Sequence, residues 1–290
     1  MELLDSLPPY NLFGLEGQSY KKAKVVAIPI PYDSTSTYRA GSREGPHAII
    51  EASRSMELYD EETGLDMGEI GVYTTDELAP DVSSPENMVK RVEREVAIML
   101  DDSKIPLLIG GEHTVSLGAI RALAKRDKGF SVLQFDAHSD TRDELLSSRY
   151  CHSCVMARAR EVCSSCYGVG IRSVDKESAR RYKGSMLYMK DIDSMGPEKA
   201  IENILGKTKE GIYLTIDLDV LDTGEMPSVG TPEPGGMSFR ELTRILKGVI
   251  KEREVIGLDF VELCPIPSMK APDYLAAKLI YTTLGGMFQV

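Results

Sequence analysis

The chain is short of positive charge. Its 34 lysines and arginines face 45 aspartates and glutamates, a formal net charge of −11. That balance argues against nucleic acid as a partner, because such proteins present a basic face. It is compatible with a cationic substrate, although acidity alone is weak evidence. No apolar run approaches the roughly 18 residues of a membrane helix. Met1–Pro9 lacks the basic and apolar regions of a secretory signal. The expectation is a cytoplasmic protein that makes no use of a membrane. Linkers, internal repeats and low-complexity tracts are also missing, so residues 1–290 read as one domain, with residues 1–20 as an irregular N-terminal arm or cap.

Cysteine is sparse, but four of the five are arranged in pairs, Cys151-x2-Cys154 and Cys163-x2-Cys166. The spacing resembles two zinc knuckles. The eight residues between the pairs read as helix, which would hold them about 12 Å apart at roughly 1.5 Å per residue. A four-cysteine zinc site is therefore disfavoured. A disulfide is uncommon in the cytosol. Plain buried thiols are the favoured reading. A nucleic-acid binder built on these knuckles is further opposed by the acid excess.

What is present is a regular alternation. Short apolar runs at Lys24–Ile30, Ile105–Ile109, Phe130–Phe135, Tyr167–Ile171, Ser185–Met189, Ile212–Ile216 and Val255–Phe260 read as strands, with one more short strand in Leu65–Leu78. Helical patterns fall between them: Pro46–Glu57, Ser84 to about Leu100, Thr114–Lys125, Ser153–Val162, Lys176–Arg181, Pro197–Leu205, Ser238–Lys251 and Pro272–Leu284. Ser84-Pro85-Glu86 has the residues of a helix start: an N-cap, a proline at the first position and an acid in the first turn. Continuous apolar strands separated by helices predict an α/β fold. It would be a three-layer α/β/α sandwich around a central parallel sheet of about eight strands. A closed (β/α)8 barrel is the alternative.

Three of these strands end in chemistry. Phe130–Phe135 runs into Asp136, His138 and Asp140; Ile212–Ile216 runs into Asp217 and Asp219; Ile105–Ile109 is followed by Gly110, Gly111 and His113. Alternate residues of an extended chain share a face, so Asp136, His138 and Asp140 converge. Four carboxylates and two imidazoles at strand ends fit a pair of hard or borderline divalent metals, and the carboxylate-rich set favours Mn2+ over zinc.

The motifs Gly110-Gly-Glu-His113, Asp136-Ala-His-Ser-Asp140 and Thr215-Ile-Asp-Leu-Asp219-Val-Leu-Asp222 together resemble the ureohydrolases, the arginase and agmatinase family. Pro31-Tyr-Asp33, Cys151-His152, Gly170-Ile-Arg172, Gly230–Gly236 and Gly257–Glu262 extend the likeness over most of the chain. The resemblance implies an arginase-like fold, a trimer or hexamer, and two Mn2+ ions per subunit. It assigns His113 and Asp140 to one ion and His138 and Asp219 to the other, with Asp136 and Asp217 bridging. It implies that Glu262 receives the guanidinium, that His152 assists proton transfer, and that Asp140 also steadies the attacking water. His47 matches no chemical position and reads as structural.

The segment after the Asp-x-His-x-Asp motif, Thr141–Tyr150, has none of the asparagine that arginases use there, and resembles an agmatinase loop. Its acids Asp143 and Glu144 could receive the amine tail of agmatine, or could simply be solvated. The implied reaction is hydrolysis of agmatine to putrescine and urea. Arginine, a guanidino acid or aminopropylagmatine are the alternatives, with a non-catalytic metal-binding scaffold behind them. One departure stands out: Cys-His-Ser-Cys replaces the more usual Ser-His-Gly, and serine lacks glycine's freedom at positive φ.

Overall fold

The computed structural model describes residues 7–289. Eight parallel strands form one sheet: β1 (Val25–Ile30), β4 (Val72–Thr74), β5 (Ile105–Gly110), β6 (Ser131–Phe135), β7 (Ser165–Ile171), β8 (Met186–Tyr188), β9 (Gly211–Asp217) and β10 (Glu254–Val261). The remaining two, β2 (Tyr59–Asp60) and β3 (Leu65–Asp66), make a separate antiparallel hairpin. The sheet order is β4-β1-β5-β10-β9-β6-β7-β8. It is open, with β4 and β8 at its edges, so the barrel alternative does not apply.

The order explains where the site forms. The chain lays β4 outside β1 and then β5 inside it, builds outward from β6 through β7 to β8 on the other side, and finally fills the gap between β5 and β6 with β9 and β10. Such a reversal opens a crevice beyond the carboxyl ends of the flanking strands. The three motif-bearing strands and β10 are therefore the four central ones.

Alternation along the strands gives two apolar layers. Val25, Ala27, Leu107 and Ile109 belong to one core with α1 (Gly45–Ser53), α8 (Pro197–Leu205), α9 (Phe239–Ile250) and α10 (Ala271–Phe288). Val26, Ile28 and Leu108 belong to the other, with α3 (Pro85–Asp101), α4 (Ser116–Arg126) and α5 (Val155–Ala159). Both faces are covered, which is why the strands read as unbroken apolar runs.

Local signals hold at several helix ends. Ser84 caps α3 by accepting from the Asn87 N–H, and Ser238 and Glu241 form a reciprocal capping box at the start of α9. Four helices differ from expectation. α1 ends at Ser53 rather than Glu57. α5 is confined to Val155–Ala159 because a 3-10 turn, His152–Cys154, takes its first residues. An unexpected helix, α7 (Met189–Met195), fills the segment between β8 and α8. α10 continues to Phe288 rather than stopping at Leu284. Gly285 lies inside it, where a Cβ would come 3.2 Å from Asp60 Oδ2, so glycine lets the helix pack closely on the β2–β3 hairpin. Two short helices, α2 (Met67–Ile70) and α6 (Lys176–Arg181), complete the set.

Part of the expected N-terminal arm, residues 1–6, lies outside the described residues. The rest behaves as a cap: Leu12, Phe13 and Leu15 are buried against the α1 and α10 layer. No helix among the described residues is long and apolar enough to cross a membrane.

Candidate metal centre

The turn after β5 delivers His113. A Cβ on Gly111 would lie 2.1 Å from the Tyr32 carbonyl oxygen, so only glycine lets the turn pass that strand end. His113 is fully buried, and its Nδ1 lies 3.0 Å from Asp140 Oδ2, 3.2 Å from Asp136 Oδ2 and 3.5 Å from Asp217 Oδ2. None of these contacts has hydrogen-bond geometry, and the atom has no such partner. On the far side of the cluster His138 Nδ1 is 2.7 Å from Asp219 Oδ2 and 3.7 Å from Asp136 Oδ1. The structure thus brings together all six residues expected as ligands. Donor atoms of His113, Asp136 and Asp140, and of Asp136, His138 and Asp219, lie within 4.8 Å of one another. Asp136 is common to both groups.

The electrostatics of the cluster call for cations. Burial, with the charges of Asp219 and Asp140, pushes the Asp136 carboxyl up to about 7. Burial and the charges of Asp219 and Asp136 push Asp217 up as well. Against burial, the hydrogen bond and charge of Asp219 push His138 up to about 10. Mutually repelling acids and an orphaned buried imidazole nitrogen are what a divalent-metal donor set looks like when its own groups must supply the counter-charge. The set fits carboxylate- and imidazole-binding divalent ions.

Further partners orient His113. Thr215 Oγ1 donates to Asp259 Oδ1 at 2.7 Å and stands 2.9 Å from His113 Nε2. With its proton committed to Asp259, the hydroxyl can only accept from Nε2–H, which leaves the Nδ1 lone pair facing the acids. Neither Thr215 nor Asp259 was singled out for a role by sequence reasoning. No local signal marks them, because the contact joins β9, β10 and the turn after β5.

A cavity of 680 Å³ opens over the cluster, lined among others by His138, Asp140, His152, Asp217, Asp219 and Glu262. Glu262 Oε1 accepts the His113 backbone N–H at 2.8 Å, which holds its carboxyl beside the acid and histidine cluster. Burial, and then the charge of Glu112, push that carboxyl well above the usual range. Gly230 lies next to it, where a Cβ would come 3.2 Å from Glu262 Oε2, so glycine leaves the carboxyl room. Asp140 (φ 49°) and Glu262 (φ 71°) both hold left-handed backbone conformations, uncommon for residues other than glycine. His152 sits in its 3-10 turn, and Ser153 needs no positive φ, so the Cys-His-Ser-Cys departure is accommodated without strain. Burial holds His152 below the ordinary imidazole value, against the pull of Asp140. His47 lies outside the site, paired with Tyr10.

The two acids expected near a substrate tail do not line this cavity. Asp143 Oδ1 is taken by Arg158 at 2.5 Å, with Arg149 at 3.4 Å, and Asp143 and Glu144 line an adjoining groove that shares Arg142 and Asp175 with the cavity. The acids at the cavity are instead Asp175 and Glu233, and Arg142 lines it too. Arg172 ties the surrounding loops together, donating to the carbonyls of Asp219 and Glu233 at 2.6 Å each. The cysteines form two separate contacts, Cys151–Cys154 with sulfurs 2.9 Å apart and Cys163–Cys166 at 3.1 Å, and all five are free thiols.

A family model described as the arginase family matches residues 23–285. An N(1)-aminopropylagmatine ureohydrolase of Synechocystis sp. is 37% identical over 275 residues, covering 92% of this chain and 90% of its own. An agmatinase of Halalkalibacterium halodurans is 32% identical over 282 residues, covering 95% and 96%. Among solved structures, the agmatine ureohydrolase of Thermoplasma volcanium superposes with a TM-score of 0.88 at 31% identity, covering 99% of this chain and 96% of that one.

Proposed function

The chain belongs to the arginase family, and we propose that within it this protein hydrolyses the guanidinium of agmatine, releasing urea and putrescine. The observation that carries the reading is one arrangement: six metal-type donor residues, five of them buried and His138 half-buried, beside Glu262 at a cavity whose lining includes Asp175. His113, Asp136, His138, Asp140, Asp217 and Asp219 would hold two divalent ions, which we take to be Mn2+, and these would supply the Lewis acidity that lowers the pKa of water.

The protein's own groups do the rest. Glu262 pairs with the guanidinium and turns its central carbon toward the acids. Asp140 accepts a hydrogen bond from the attacking water. A carbon–oxygen bond forms, the bond to the substituted nitrogen breaks, and His152 passes a proton to the departing amine. Asp175 uses Oδ1 to cap α6 by accepting from Glu177 and Ser178 N–H, so its other oxygen is free to receive an ammonium tail.

N1-aminopropylagmatine is the second reading. Relatives named for that substrate are the more similar at 37%, and the cavity volume of 680 Å³ has room for a longer tail. We place the protein in the cytoplasm from the character of its sequence, and propose a homo-oligomer, a trimer or hexamer, on the strength of its family resemblance.

The test is urea release after incubation with Mn2+, comparing agmatine, N1-aminopropylagmatine, arginine and a guanidino acid at equal concentration. Preference for either amine-tailed substrate supports the reading, and their ratio assigns the substrate. Preference for a carboxylated guanidine would overturn it and move tail recognition to Arg142.

A further inference from the structure

Glu112 precedes a cluster residue but takes no part in the cluster. It is fully buried, and its carboxylate is bound to the loop that follows β1. Oε2 accepts the Thr35 backbone N–H at 2.8 Å; Oε1 accepts the hydroxyls of Thr35 and Thr114, each at 2.8 Å. Thr35 in turn faces His152. Its Oγ1 accepts the His152 backbone N–H at 3.1 Å and lies 3.2 Å from His152 Nδ1. The loop is itself pinned at Asp33, which accepts from Gly41 N–H at 2.8 Å and Arg43 Nε at 2.6 Å.

A threonine hydroxyl has one proton to give. The nearer and stronger acceptor is the Glu112 carboxylate, at 2.8 Å against 3.2 Å for the imidazole. Once that proton points to Glu112, Oγ1 offers His152 only lone pairs. The nitrogen beside it must then carry a hydrogen. We propose that Glu112 and Thr35 are positioning residues that fix neutral His152 as its Nδ1–H tautomer, leaving Nε2 as the basic nitrogen for the cavity.

The proposal rests on the reading of His152 as the proton-transfer group, and it specifies the atom. Nε2 takes a proton as the carbon–oxygen bond forms and returns it to the nitrogen that leaves as the carbon–nitrogen bond breaks. The imidazole ends each cycle as it began. The wrong tautomer would present Nε2–H to the attacking water and stall the first transfer, as a misplaced proton does in other histidine-based sites.

The experiment pairs Thr35→Val, which removes the hydroxyl, with Thr35→Ser, which keeps it. Histidine 15N spectra, recorded with diamagnetic Zn2+ as the probe metal, report the tautomer directly; His152→Gln assigns the signal among the four histidines. We expect Nδ1–H in the wild type and in Thr35→Ser, and loss of that preference in Thr35→Val. With Mn2+ and substrate, kcat should fall at least about tenfold in Thr35→Val. KM and metal content should stay within about twofold, and Thr35→Ser should recover most of the rate. Wild-type His152 in the Nε2–H form, Thr35→Val with unchanged kcat, or equal losses in both variants would overturn the proposal. The spectra need no turnover, so they stand even if the substrate assignment fails, which would show as absence of urea from the wild type.

Discussion

Thr215→Val isolates the support of the metal cluster. Valine keeps the shape and deletes the hydroxyl that stands 2.7 Å from Asp259 Oδ1 and 2.9 Å from His113 Nε2. Asp259 retains the Tyr213 phenol, which donates to Oδ2 at 2.5 Å, so that carboxyl is still partly satisfied. The imidazole fares worse: Nε2–H is left without its acceptor in a fully buried site. An unpaired buried donor costs about 1–3 kcal/mol. His113 can avoid that cost by giving up the Nε2–H tautomer, but the proton then moves to Nδ1, the atom that faces Asp136, Asp140 and Asp217. Either route weakens the site. Loss of such a supporting partner typically lowers metal affinity or activity by about 10–100-fold, or about 1.4–2.7 kcal/mol, in the range of the hydrogen-bond figure. The assay is titration with Mn2+ in chelator-buffered solution, reading the free concentration at half occupancy, with Thr215→Ser as the control that should restore it. Wild-type affinity in Thr215→Val would refute the assignment of Nδ1 as the ligand atom and of Thr215 as its support.

Metal removal should expose a pH dependence. In the metal-free protein His138 is raised to about 10 and Asp136 to about 7. Both bind protons more tightly folded than unfolded, so each contributes stability that is complete below its unfolded value and is lost as pH rises through its folded one. The melting temperature without metal should therefore fall between about pH 4 and pH 10, while the increment from added Mn2+ grows, because metal displaces those protons. A metal increment independent of pH would contradict the account of the cluster. For the tail, Asp143→Asn should leave the KM for agmatine within about twofold while lowering the melting temperature, because Asp143 serves the buried Arg158. Asp175→Asn keeps the α6 cap but loses the charge, and should raise that KM about tenfold, the value of one charge-assisted contact. Steady-state kinetics on the two variants decide, and the reverse pattern would return the tail to the Thr141–Tyr150 loop.

These tests separate what local pattern carries from what only the fold supplies. Asp136, His138 and Asp140 were legible as a cluster at the end of an apolar run, but not for the expected reason of alternation: β6 stops at Phe135 and Asp140 holds a φ of 49°, so a turn rather than an extended chain brings the three together. The strand count was legible because strands buried on both faces are apolar throughout. Sheet order was not, yet it is the order that brings the ends of β5, β6, β9 and β10 side by side. Asp143 shows the limit within a single loop. Its charge suits an ammonium tail, but the direction of the side chain is decided by Arg158, fifteen residues later and itself buried. The hydroxyls of Thr35 and Thr215 show the same limit across the whole chain. Threonine beside a strand end is unremarkable until the fold sets a carboxylate on one side and an imidazole on the other, 77 and 117 residues away for Thr35. The two threonines occupy equivalent places in two relays but leave opposite nitrogens free: Nδ1 of His113 toward the metal-type acids and Nε2 of His152 toward the cavity. On the proposed reading, that pairing would give each histidine a single use, His113 as a ligand and His152 as a base.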